Sequence, residues 1–126
     1  MLELRANIGS VEVFVERVDE LLRHQGYRLA GSFEEGMDDA AAVAGFRTGH
    51  DLVHGSYLYV DDLSTREQFR GRGHGVALMD WLAGEARRLG CDYLTLDSGV
   101  VRYDAHRFYL NRGMQISSHH FSKSLG

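Results

Sequence analysis

The sequence predicts one mixed α/β domain. Segments with the character of strands (27–33, 40–47, 57–63, 93–97 and 114–121) interleave with segments of helical period (10–24, 76–89 and 102–111), and one glycine-rich turn carries a strand into a helix. The chain has 126 residues, enough for one hydrophobic core, and no internal repeat or low-complexity stretch divides it, so a single domain over 1–126 is expected.

The elements follow in order. Val11, Phe14, Val15, Val18 and Leu22 recur at helical spacing, Ser10 supplies a capping hydroxyl and Gly26 ends the run. Tyr27–Phe33 and Ala40–Arg47 flank the polar stretch Glu34-Glu35-Gly36-Met37-Asp38-Asp39 and read as a hairpin. A second turn over Gly49–Gly55 leads to the strand Tyr57–Leu63. Alternation there puts Tyr57, Tyr59, Asp61 and Leu63 on one face and Leu58, Val60 and Asp62 on the other. The helix Val76–Leu89 turns Leu78, Leu82, Ala86 and Leu89 inward and stops at Gly90. The strand Tyr93–Asp97, a helix over Arg102–Asn111 and a last strand Met114–Phe121 complete the sheet.

Composition narrows the class. The net charge of −4 speaks against bulk attraction to nucleic acid or an anionic membrane. The lone Cys91 forms no internal disulfide and, with no apolar stretch of membrane-spanning length and no signal-like N-terminus, points to the cytoplasm. Of the seven histidines, adjacent His119 and His120 would face opposite sides of a strand, and His24, His50 and His54 lie in or beside turns. No metal site is expected.

Chemistry concentrates in Arg70-Gly71-Arg72-Gly73-His74-Gly75. Three glycines let the backbone fold tightly, so that several N–H groups converge on one anion. The positive end of the following helix adds about half an elementary charge, and Arg70 and Arg72 are fixed cationic forks; the bland alternative is a solvated turn. A phosphate-bearing ligand is expected. Val76-Ala77-Leu78 lacks the lysine and hydroxyl of a P-loop, which speaks against phosphoryl transfer, and Gly71-x-Gly73-x-Gly75 lacks the spacing of a dinucleotide fingerprint.

The remaining pattern, Arg70-x-x-Gly73-x-Gly75, resembles the acetyl-CoA pyrophosphate loop of the Gcn5-related N-acetyltransferases, written [Q/R]-x-x-G-x-[G/A] between the fourth strand and the third helix. A second motif agrees in order and spacing. The family's Ala-x-x-Phe-Tyr-x-x-x-Gly-Phe is matched by Ala105-His106-Arg107-Phe108-Tyr109-Leu110-Asn111-Arg112-Gly113-Met114. The resemblance runs from Tyr27 to Phe121, with Leu63-Ser64-Thr65 at the place of a Leu-x-Val pair and Thr65 replacing the valine. It implies a mostly antiparallel central sheet flanked by helices, the acyl-CoA N-acyltransferase fold, with a shortened N-terminus. Leu2–Ala6 is then either a short first strand or that strand is missing. A missing strand would bare a sheet edge and favour a homodimer or strand exchange.

The resemblance also implies an enzyme that passes the acetyl group of acetyl-CoA to a primary amine by direct attack in a ternary complex. A lysine-like amine with a pKa of about 10.4 must first lose a proton. The face carrying Leu63 is implied to look toward the acetyl group, which makes Asp61 the nearest carboxylate for that proton; as an alternative it binds the substrate's cation or merely solvates the strand end. Tyr59 stands where some relatives carry a glutamate base. Tyr109 occupies the family's tyrosine position, donating to the departing thiolate, the alternative being a core tyrosine beside Phe108. Backbone N–H groups of Leu63, Ser64 and Thr65 are implied to hold the acetyl carbonyl and the pantetheine arm, and Arg70, Gly71, Arg72, Gly73, His74, Gly75 and Val76 the diphosphate. Arg102 replaces the family's asparagine three residues before Ala105. The alternative from another class is a non-catalytic acyl-CoA-binding module that regulates a partner. The acceptor is expected to be a small-molecule or peptide amine.

Overall fold

The computed structural model describes Met1–Gly126, which divides into two compact units, Met1–Leu96 and Asp97–Gly126. The first unit holds a four-stranded sheet in the order β1 (Arg28–Ser32), β2 (Ala42–Asp51), β3 (Gly55–Thr65) and β4 (Tyr93–Leu96). β1–β2 and β2–β3 are antiparallel and β3–β4 is parallel, so the mixed, mostly antiparallel sheet expected from the sequence is present.

The helix α1 (Val11–Arg17) opens where expected, with Ser10 Oγ accepting from the Val13 N–H at 3.2 Å. It runs on through a π turn (Val18–Leu22) and a 3-10 turn (Arg23–Gln25), and Gly26 ends it at φ 81°, a left-handed value that an L side chain resists. Of its five expected apolar contacts only Val18 is fully buried; Val11 and Val15 are exposed. At Leu2–Ala6 no strand forms. The chain turns there, with the N–H groups of Leu4 and Arg5 both donating to the Met1 carbonyl at 3.0 Å, and enters a 3-10 turn at Ala6–Ile8.

The helix α2 (His74–Arg88) begins two residues before Val76, because Gly73 at φ 87° starts it. It buries Leu78, Met79, Leu82 and Ala86, while β2 and β3 contribute Ala42, Ala44, Phe46, Leu58 and Val60 to the core. Trp81 meets the Phe46 ring edge-on at 5.7 Å. Leu89, expected inside, is exposed: the helix has already ended there, and the inward position one turn earlier is held by Glu85, which pairs with Arg88 and, at 3.6 Å, with Arg28. That pairing is what lets a carboxylate sit among apolar neighbours.

The second unit contains α3 (Tyr103–Asn111), close to the expected Arg102–Asn111. The expected strand Met114–Phe121 is absent; the chain is irregular from Met114 onward, and Ile116 and Phe121 are exposed. The physical reason is visible in the residues. Ser117-Ser118-His119-His120 interrupts the alternation after Ile116, so no apolar face is long enough to justify a place in a sheet.

Candidate active site

β3 carries the irregularity that shapes the site. Gly45 of β2 faces Asp62, but the next residue, Phe46, faces Val60, so Asp61 is an extra residue, a β-bulge. Strict alternation fails beyond this point. Leu63 now opposes Ala44 and Thr65 opposes Ala42, on the face of Phe46 and Val60, whereas Asp62 opposes Gly45, on the face of Arg47 and Tyr59. The expectation that Asp61 shares a face with Leu63, and Asp62 with Val60, is thereby corrected: the bulge puts both carboxylates on one side and takes Leu63 to the other.

Each carboxylate is held. Arg47 grips Asp61 with both arms, Nε donating to Oδ2 at 2.9 Å and Nη2 to Oδ1 at 2.7 Å, and the fork keeps the guanidinium strongly charged. Asp62 accepts from Tyr27 Oη at 2.7 Å and from Arg5 Nε at 2.7 Å. Tyr27 is buried, and burial followed by the bond to Asp62 drives its phenol far above the usual tyrosine range. The tyrosine needs the glycine opposite: a Cβ on Gly45 would lie 1.7 Å from Tyr27 Oη.

Beyond the bulge the ladder opens. β4 pairs with β3 only from Tyr57↔Tyr93 to Val60↔Leu96, so Asp61–Thr65 have no β4 partner on that flank. A strand flank without a ladder offers its N–H and C=O groups to an extended ligand. The same strand then runs through a 3-10 turn (Glu67–Phe69) into the glycine loop. Gly71 (φ 79°) and Gly73 (φ 87°) are left-handed, and a Cβ built on either meets nothing within 4 Å, so backbone conformation, not crowding, demands glycine there. No side chain caps α2, and the N–H groups of its first turn have no intrahelical acceptor. An anion fits such a terminus.

The loop is tied down through His74. Its Nδ1 lies 2.6 Å from Ser32 Oγ and its Nε2 3.1 Å from Glu34 Oε1, an oxygen that also accepts from Arg72 Nη1 at 3.1 Å. These bonds, His74 first, hold the Glu34 carboxyl below the usual glutamate range. Arg66 and Arg72 lie over the Phe69 ring at 5.7 and 5.6 Å. Sequence reasoning missed Ser32, Arg47, Tyr27 and Arg5, and placed Glu34 in the polar turn without tying it to the loop. Only the Asp61-Asp62 doublet signalled anything, since strict alternation would have placed one carboxylate in the core.

In the second unit Tyr109 is half-buried on α3 with its ring edge-on to Phe108 at 5.5 Å, and burial raises its phenol above the usual tyrosine range. His106 Nε2 lies 2.7 Å from the Gly99 carbonyl, and Arg107 pairs with Asp104. Ser98 Oγ is buried without a hydrogen-bond partner, an unsatisfied group of the kind a bound polar ligand completes.

A mixed sheet whose β3 flank opens and leads into an uncapped, glycine-started helix offers a place for an extended ligand that ends in an anion. The family described as Acetyltransferase (GNAT) family matches residues 5–114. An uncharacterized N-acetyltransferase, YhdJ, of Bacillus subtilis (strain 168) is 32% identical over 124 residues, 98% of this chain and 85% of that protein. An aminoalkylphosphonate N-acetyltransferase of Salmonella typhimurium is 36% identical over 75 residues, 59% of this chain and 49% of that protein. Among solved structures, glucosamine-6-phosphate N-acetyltransferase from Arabidopsis thaliana shares the fold with a TM-score of 0.76 at 24% identity, covering 100% of this chain and 89% of that one. The chain belongs to the GNAT acetyltransferase family. No helix is long and apolar enough to cross a membrane.

Proposed function

We propose that the chain is an acetyl-CoA-dependent N-acetyltransferase that acts in the cytoplasm on a primary amine, by direct attack in a ternary complex. The observation that carries the reading is the flank of Asp61–Thr65 that β4 leaves unpaired, which leads through a 3-10 turn into the uncapped start of α2. Backbone groups of Leu63, Ser64 and Thr65 pair with the extended arm of the cofactor, and the N–H groups from Gly71 to Val76, beside the Arg70 side chain, take its diphosphate; the Arg70 N–H itself donates to the Glu67 carbonyl at 3.3 Å. When bound, acetyl-CoA supplies an acetyl group activated as a thioester.

The remaining roles belong to side chains. The bulge turns Asp61 away from Leu63, so the role proposed for it is to take the amine's proton through water: each of its oxygens gives one lone pair to Arg47 and keeps a second. Arg47 is a positioning residue in this scheme. Tyr109, whose raised phenol stays protonated through neutral pH, holds the proton for a departing thiolate. β1 is an outer strand of the sheet, and a second copy of the chain covers its edge in the homodimer we propose. Light scattering at micromolar concentration checks this; a monomer removes it.

Incubation with acetyl-CoA and a panel of small-molecule and peptide amines, while thiol release is followed, tests the activity. Release that depends on an amine supports the transferase. Binding of coenzyme A with no release under any amine favours a binding module instead.

A further inference from the structure

Glu34 lies in the β1–β2 turn, and the function proposed above gives it no part. Yet it reaches the edge of the phosphate loop. One carboxylate oxygen, Oε1, is shared by Arg72 Nη1 and His74 Nε2, both at 3.1 Å. In a neutral ring with Nε2 donating to that oxygen, Nδ1 accepts from the Ser32 hydroxyl at 2.6 Å, so the imidazole is fixed from both sides. The His74 side chain is only 10% exposed, that of Glu34 29% and that of Arg72 58%. The imidazole is thus a buried support, and the carboxylate and guanidinium meet at the surface of the loop.

An oxygen anion bridging a guanidinium and an imidazole N–H beside a helix start is what a phosphate oxygen would form at the same place. A diphosphate arriving on the N–H groups of Gly71–Val76 meets two obstacles in Glu34: a like charge, and a cation already engaged. The turn has the means to yield. Gly36 sits at φ 79°, Glu35 through Asp39 are exposed, and the sheet is fastened just outside it by the Ala41 N–H donating to the Ser32 carbonyl at 2.8 Å. Movement of the Glu34 side chain, whose backbone stays held by the Met37 N–H donating to its carbonyl at 3.1 Å, therefore leaves the β1–β2 ladder intact.

We propose that Glu34 is an internal stand-in for a cofactor phosphate, which the diphosphate displaces from Arg72 on binding, so that this residue sets the affinity for coenzyme A. The inference rests on the acetyl-CoA reading. Its test is calorimetric titration of coenzyme A into the wild type, Glu34→Gln, Arg72→Gln and the double variant, with circular dichroism to confirm that each is folded. Glutamine keeps the size and one oxygen acceptor but removes the charge. The expected result is that Glu34→Gln binds coenzyme A about three- to fivefold more tightly, the scale of one exposed ion pair. The gain shrinks in the Arg72→Gln background and at high salt, and it reappears as a lower KM for acetyl-CoA. A purely structural role for Glu34 would move affinity the other way. Unchanged or weaker binding in folded Glu34→Gln, with heat still seen for the wild type, overturns the displacement alone. No heat in any of the four proteins removes the acetyl-CoA reading itself.

Discussion

At the bulge, Asp61 and Asp62 are met by Arg47, Arg5 and the Tyr27 phenol, side chain against side chain, every oxygen named and every partner fixed. Ten residues on, at Gly71 and Gly73, the groups on offer are backbone N–H, and the space around the missing Cβ atoms is empty. The difference teaches where identity matters. The bulge depends on which side chain stands at each place, whereas the loop depends on φ.

Substitutions break that contrast in a definite order. The largest effect is expected at the bulge: Asp61→Asn keeps the shape and one Arg47 contact but loses the proton acceptor, so turnover falls about a hundredfold or more while coenzyme A affinity stays within about twofold. Turnover and calorimetry on the same preparation check it, and full activity would strike Asp61 from the mechanism. Tyr109→Phe should lower turnover by about ten- to a hundredfold with acetyl-CoA binding nearly intact. Unchanged turnover returns this residue to a packing role.

At the loop the expected effect is smaller and of another kind. Gly73→Ala imposes about 1–2 kcal/mol of left-handed strain on the folded loop, which reads as a loss of about that much stability in urea unfolding, since no clash adds to it. An unchanged urea midpoint would mean that the loop tolerates a Cβ and that conformation is not what glycine supplies. Tyr27→Phe leaves Asp62 with Arg5 alone and should lower stability by about 1 kcal/mol, seen in urea unfolding.

The smallest effect concerns pH. The Glu34 carboxyl is lowered by His74 and Arg72, so below the usual glutamate range the unfolded chain takes up a proton before the folded one does. The stability this residue contributes is present above that range and is lost as pH falls through its lowered folded value. Urea midpoints measured down the acid range should therefore fall less steeply for Glu34→Gln than for the wild type; parallel curves would count against the ion pair in solution.

Much of this was legible before any coordinates. Ser10 and Gly26 framed the first helix, the acidic turn after Phe33 announced the hairpin, and Gly90 marked the end of α2, whose start the sequence placed two residues late, because caps and turns act within a few residues of their own position. The glycine loop was found for the same reason. What stayed hidden depends on partners distant in sequence. The pairing of Glu34 with Arg72 spans thirty-eight positions, and that of Arg5 with Asp62 fifty-seven. The bulge is a matter of register between two strands, which periodicity within one strand does not contain. Met114–Phe121 misled in the opposite direction, its first apolar residues imitating a strand that the serine and histidine run cannot sustain.

Trp81, the chain's sole tryptophan, sits on the helix that the glycine loop begins and abuts the fully buried Phe46 ring. Its indole is a native optical reporter: emission from this one fluorophore registers how firmly α2 is seated on the sheet, with no dye attached and no other tryptophan to blur the signal.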